Sequence, residues 1–257
     1  SYMKIGFIIS MYDEIDIVKN TVNILKQNDC PIIVIQSDPQ QLQKLLEPNQ
    51  VDFYQKLSDL AGSKDEYLEE RNDKNSKAAT TPVKAITRNF KFGFNSSKSF
   101  DIDWWVVILG DVSISNIKGI KQIIQEMIQK KKLIGITRAV GQIFKDNSNR
   151  LTRIQKDNTT DFMPQFLIVN SYLISKGLFS TIPITNPYTS EQCLGDEVSR
   201  YCLENNIDFK KLVHIISNYA YPQFISGLKY NSDRINMPQY VDGFVNMIRR
   251  IKISFSK

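Results

Sequence analysis

Short unbroken apolar runs at residues 3–10 (MKIGFIIS), 31–38 (PIIVIQSD), 104–109 (WWVVIL) and 133–137 (LIGIT) constrain this chain more than any other feature. A strand with one solvated face alternates apolar and polar residues, so a continuous run marks a strand covered on both faces, as in a parallel sheet. Between these runs lie segments with a helical apolar period. Residues 15–27 place Ile17, Val18, Val22, Ile24 and Leu25 mostly on one stripe, and a second helix is expected over 117–130. Thr81-Pro82 opens a third, running to residue 94, because proline suits a first helical turn. Strand, helix and strand within about 35 residues form a βαβ unit, and the repeated alternation predicts an α/β fold with a mainly parallel sheet flanked by helices.

The rest of the chain carries weaker signals. Residues 40–46 look helical, 51–54 read as a short strand, and 58–79 form a polar insertion rich in Lys, Asp, Glu, Asn and Ser. Residues 141–160 read as a polar hairpin. Residues 166–175 (FLIVNSYLIS) read as strand running into helix, with the sheet becoming mixed there. A helix over 196–205 and a last strand over 211–216 (KLVHII) complete the reading. With no linker or internal repeat visible, residues 1–257 are expected to form one domain.

Composition excludes several classes. The 42% hydrophobic and 23% charged content is that of a globular protein, and no apolar run approaches the roughly 20 residues of a membrane-spanning helix. No secretory leader is evident at the start, so a cytoplasmic location is expected. Cys30, Cys193 and Cys202 make no close pair, which argues for reduced thiols rather than a disulfide framework or zinc site. The formal net charge of +6 favours anionic partners. A nucleic-acid role would need a basic stripe with stacking aromatics, and none is visible, so nucleic acid is not expected as a partner.

The candidate site residues follow from the strand ends, because open α/β sheets bind ligands in the crevice beyond the carboxyl ends of their strands. Asp111 follows the run 104–109 after Gly110. Asp13 follows the first run and Asp38 ends the second, at the strand ends where a base and ribose would be read by hydrogen bonds, although Asp38-Pro39 is also a plain turn signal. Lys84 and Arg88 stand one helical turn apart, either to reach phosphates or as a solvated basic face. His214 is the only histidine and sits in an apolar strand pattern, where a hydrogen-bonded core residue is the ordinary reading. Asp196 and Glu197 precede an amphipathic stretch, where negative charge at a helix N-terminus is favoured.

Taken in order, these segments resemble the GT-A glycosyltransferases. The opening strand and acidic turn FIISMYDEIDIVKN, the strand IIVIQSDP, the helix ITRNFKFGF, the strand VVILGDVSI and the late acidic pair in LGDEVSRYC follow the order of that superfamily over residues 3–209. Two positions depart from its pattern. The DxD position reads Leu109-Gly110-Asp111, and Gln36 stands where an Asp that contacts the nucleotide is common. The resemblance implies a Rossmann-like GT-A fold, with a nucleotide-binding half over about 3–115 and an acceptor half over about 116–257.

It further implies a nucleotide-sugar donor, with a UDP-sugar expected, and a glycan or lipid-linked acceptor, as in surface polysaccharide synthesis. Asp111 would hold Mn²⁺ or Mg²⁺ at the diphosphate, with His214 as a second ligand. Asp196 or Glu197 would be the base that deprotonates the acceptor. Phe162, Met163 and Phe166 would line the acceptor pocket or belong to the core. The basic amphipathic end, 241–257, would either touch an anionic membrane surface or pack on the domain. Two other readings stay open: a catalytically inactive GT-A-like binding module, and a sugar nucleotidyltransferase, which would need a glycine-rich loop that SMYDEID lacks.

Overall fold

The computed structural model describes residues 3–12, 14–38, 45–58, 80–137, 166–180, 190–217 and 228–230. A seven-stranded sheet is built from β1 (Ile5–Met11), β2 (Ile32–Ser37), β3 (Phe53–Leu57), β4 (Trp104–Leu109), β6 (Ile134–Thr137), β7 (Phe166–Asn170) and β8 (Val213–Ser217). Its order is β3-β2-β1-β4-β7-β6-β8. β1 pairs in parallel with β2 and β4, β2 with β3, and β6 with β8, whereas β7 runs antiparallel to both of its neighbours. The sheet is mixed and mainly parallel, the Rossmann-like, GT-A-like class of α/β fold. Its change of direction falls at the segment where the sequence predicts one. β5 (Val112–Ile114) and β9 (Leu228–Tyr230) form a separate antiparallel pair that brings a late stretch of chain beside the residues after β4.

Helices cover both faces because the central strands are apolar on both. Ile5, Phe7, Ile9 and Met11 of β1 face the core shared with α1 (Ile15–Lys26) and α3 (Lys118–Gln129). Ile8 faces the opposite core, where α2 (Thr80–Ser97), α4 (Ser171–Ser175), α5 (Ser190–Glu204) and α6 (Phe209–Leu212) pack. α2 can lie flat on the sheet because Gly93 has no side chain: a Cβ there would stand 2.4 Å from Cγ2 of Ile8. On the other face Gly135 of β6 leaves the same room for Met127 of α3, whose sulfur would stand 2.7 Å from an added Cβ.

Several expectations shift. The short strand expected at 51–54 begins two residues later, as β3. The run 211–216 divides into α6 and β8, because Asp208 caps a short helix by accepting the Lys210 N–H at 2.9 Å. The helix expected from residue 196 starts at Ser190, so Asp196 and Glu197 lie inside α5 and not at its N-terminus. The expected helix over 40–46, apart from its last two residues, the polar insertion, apart from Ser58, and the hairpin over 141–160 lie outside the described residues.

Candidate functional site

The four parallel strands β3, β2, β1 and β4 end on one edge. β1 leads to β2 on one side through α1, and β4 stands on its other side, so the strand order reverses between β1 and β4. The crevice at such a point is where doubly wound sheets take ligands. One lip carries Met11 and Tyr12, and the other carries Gly110 and Asp111.

Glu14 joins the two lips. Its Oε2 accepts the Tyr12 N–H at 2.5 Å, and a Cβ on Gly110 would come within 2.9 Å of that same oxygen and 2.9 Å of the Met11 Cβ. Glycine at 110 therefore lets the turn after β1 close against the end of β4. The Glu14 carboxylate occupies the room that a side chain in the middle of the DxD position would need. Sequence reasoning placed the acid of this turn at Asp13, which lies outside the described residues. The adjacent Glu14 carried no signal of its own until Gly110 was seen against it.

Gln36 is fully buried, and its amide is already used. Nε2 donates to the Tyr12 carbonyl at 2.7 Å, while Oε1 accepts from the Tyr54 hydroxyl at 2.8 Å and the Leu46 N–H at 3.2 Å. The residue standing in place of an expected Asp thus holds the β1 turn and the chain after β2 together. Asp38 sits at the predicted strand end but is 1% exposed, with Lys56 Nζ 3.7 Å from its Oδ2. Burial raises the Tyr54 phenol above its ordinary range, and the Asp38 charge adds to the effect.

Arg88 and Asn89 of α2 are both buried, which rules out a solvated basic face for Arg88. The Asn89 amide donates to Ser10 Oγ of β1 at 3.1 Å and to Ser37 Oγ of β2 at 2.8 Å. No local pattern in the sequence marks Asn89; this bridge makes it the residue that seats α2 on the two strand ends. Lys84 lies on the first turns of the same helix, and its side chain is outside the described residues.

The acidic pair separates. Glu197 is buried, and both its oxygens accept from Arg200, at 3.0 Å from Nε and 2.6 Å from Nη2; Arg200 also bonds Glu204. The hydrogen bonds Arg200 donates to Glu197 and then to Glu204 raise the guanidinium further above its already high range. A carboxylate held in this way serves α5, which packs against α2. Asp196 is on the same helix, with its side chain outside the described residues.

His214 does not reach Asp111. Register sets Val106, Ile168, Gly135 and His214 in one row across β4, β7, β6 and β8. Asp111 lies beyond that row along β4 and three strands away, a separation of roughly 20 Å from strand rise and spacing. Two ligands of one ion stand within about 5 Å of each other, so Asp111 and His214 do not share an ion. His214 instead faces α3, with Nε2 3.7 Å from Glu126 Oε1, and burial lowers its pKa below the usual 6.5.

Among the described residues no group of three or more His, Cys, Asp and Glu side chains is arranged to hold a metal, and no helix is long and apolar enough to cross a membrane. Phe166 is core, whereas Phe162, Met163 and the basic end 241–257 lie outside the described residues.

No protein-family model and no curated protein matches this chain. Among solved structures it is similar to core-mannan synthase A of Aspergillus fumigatus in its Mn/GDP form, at 7% identity and TM-score 0.45 over 85% of this chain and 74% of that one. It is also similar to mouse xyloside xylosyltransferase 1 in its apo form, at 12% identity and TM-score 0.43 over 83% and 85% of the two chains. A mannosyltransferase of Pyrobaculum calidifontis in complex with GDP-Man and Mn²⁺ aligns at 12% identity and TM-score 0.44, over 97% of this chain and 65% of that one. At these identities and TM-scores the likenesses assign no family, and the fold class rests on the strand order and pairing described above.

Proposed function

We propose that this chain is a glycosyltransferase that moves a sugar from a nucleotide-sugar to a glycan or lipid-linked acceptor. The observation that supports the reading is the position of Asp111: one carboxylate past the end of β4, at the point where the strand order reverses beside β1. In this reading the nucleotide lies along the ends of β1 and β2, and Lys84 of α2 meets its phosphates.

The donor set fits a hard divalent cation. Mg²⁺ or Mn²⁺ needs only one or two carboxylates when phosphate oxygens and water supply its other ligands. Asp111 would hold the ion, which when bound neutralises charge on the departing diphosphate. Asp196 is the remaining candidate base, since Glu197 is committed to Arg200. It would take the proton of the acceptor hydroxyl as that oxygen bonds to the anomeric carbon and the bond to the diphosphate breaks.

One observation favours a second reading, an inactive binding module: the DxD position keeps a single acid, and Gly110 is closed off by Glu14 and Met11. Calorimetric titration with UDP, GDP and dTDP, each with and without Mn²⁺, tests the first reading, and hydrolysis of the matching nucleotide-sugar separates it from the second. Absence of binding by all three nucleotides would end the glycosyltransferase reading. Binding without hydrolysis or transfer would favour the module.

A further inference from the structure

The edge of the sheet opposite the crevice collects charge and exposed apolar surface. β6 and β8 both start there, and the segments that lead into them carry Lys130, Lys131 and Lys132 on one and Lys210 and Lys211 on the other. The two segments are joined by the Leu133 N–H donating to the Leu212 carbonyl at 3.0 Å, and by the Lys132 ammonium donating to the Lys210 carbonyl. Ile128, 52% exposed, projects one turn before these lysines.

The other two exposed large apolar side chains among the described residues lie at the same edge. Tyr172 follows the end of β7, which the Asn170 N–H ties to the start of β6, and Leu203 is in the last turn of α5. Among the nearby acids Glu126 pairs with Lys130, Glu204 with Arg200 and Asp101 with Lys4, and Asp208 caps α6, so Lys131, Lys210 and Lys211 carry the excess positive charge of this edge.

We propose that this edge, centred on Ile128 and the five lysines, is a docking surface for an anionic lipid bilayer. Lysines around projecting aliphatic side chains suit a membrane interface, where the ammonium groups meet acidic headgroups and the apolar tips enter the acyl boundary. A nucleic acid would use the charge but not Ile128 and Leu203, since it rewards aromatic stacking, and Tyr172 already lies under the Lys176 ammonium at 5.5 Å. The geometry is also compatible with an open crevice. β4 separates the two edges by about 20 Å, so a bilayer seated on the lysine edge leaves the Asp111 edge facing solvent.

The test is flotation of the full chain with phosphatidylcholine vesicles, with and without phosphatidylserine. Binding is expected only with phosphatidylserine, and it is expected to disappear at about 1 M salt, where the Debye length is about 3 Å. The variant Lys131→Asn/Lys211→Gln is expected to partition roughly 30-fold more weakly, about fivefold per lysine near the surface. Lys91→Gln/Lys118→Gln, which removes the same charge away from this edge, is expected to match the parent, and melting curves of both variants control for folding. Equal binding to neutral vesicles, equal loss in the two variants, no loss in the first, or displacement by RNA at low salt would each overturn the assignment.

Discussion

Asn89→Ala isolates the contact that seats α2 on the ligand edge. The Asn89 amide donates to two hydroxyls, Ser10 Oγ and Ser37 Oγ, and all three side chains are at most 5% exposed. Truncation strands both hydroxyls away from water, at about 1–3 kcal/mol each. Alanine returns up to about 0.7 kcal/mol through its better helix propensity. The net expectation is a loss of about 1–5 kcal/mol, read by equilibrium urea unfolding with the slope unchanged. Because the loss is an orphaning effect, it should be recoverable. Asn89→Leu/Ser10→Ala/Ser37→Ala, which removes every polar member, is expected to be at least about 1 kcal/mol more stable than Asn89→Ala alone, since replacing all partners by apolar groups can be nearly neutral. An Asn89→Ala cost below about 0.5 kcal/mol, or no recovery in the triple variant, would refute the account of why α2 sits where it does.

Other perturbations read different parts of the molecule. Gly110→Ala puts a Cβ within 2.9 Å of Glu14 Oε2 and the Met11 Cβ, so it is expected to cost about 1–3 kcal/mol in thermal unfolding and to weaken nucleotide diphosphate binding in titration. Glu197→Gln and Asp196→Asn should part ways. The first is expected to lower the melting temperature by breaking the Arg200 contact, whereas the second should abolish sugar transfer in a donor-consumption assay with the melting temperature unchanged. His214 resists protonation mainly because it is buried, with Lys130 and Lys132 adding to the effect and Glu126 opposing it. Its folded pKa lies below 6.5, so the unfolded chain binds the proton first and stability falls as pH drops below that value; His214→Gln should flatten this part of the stability-against-pH profile. Burial pushes the Cys30 and Cys202 thiols up to about 11, so alkylation of both at pH 8 is expected to be slow until denaturant is added, as followed by mass spectrometry.

What was legible in the sequence follows from how local the deciding interaction is. β1, β2 and β4 fall within about two residues of their expected bounds because burial on both faces writes itself into a continuous apolar run, and α1 does so because its apolar residues keep a helical period. α5 begins six residues early because SEQCLG has no apolar period and Gly195 reads as punctuation, yet Gly195 is buried inside the helix. The pairing of β5 with β9 joins residues more than a hundred positions apart over three residues each, and no local pattern can announce it. Gln36 illustrates the limit at the site: its three partners come from the turn after β1, the chain after β2, and β3. Only their assembly turns a residue that departs from a resemblance into a buried clamp.

His214 shows how one capping residue changes a functional argument. Read as the fourth residue of a strand KLVHII, it stands well along toward the ligand edge, where a second metal ligand is wanted. Asp208 alters this by starting α6, which uses up Lys211 and Leu212 and makes His214 the second residue of β8. β8 then pairs in parallel with β6, so its early residues face the amino edge and the lysine surface, not Asp111. β7, inserted antiparallel between β4 and β6, widens the gap by a further strand. The consequence is testable without any assumption about the reaction. If a divalent cation binds at Asp111, Asp111→Asn must lower its affinity in a Mn²⁺ titration followed by electron paramagnetic resonance, while His214→Gln must leave it unchanged. Equal loss in both variants would require the two residues to meet, which the register of β4, β7, β6 and β8 forbids.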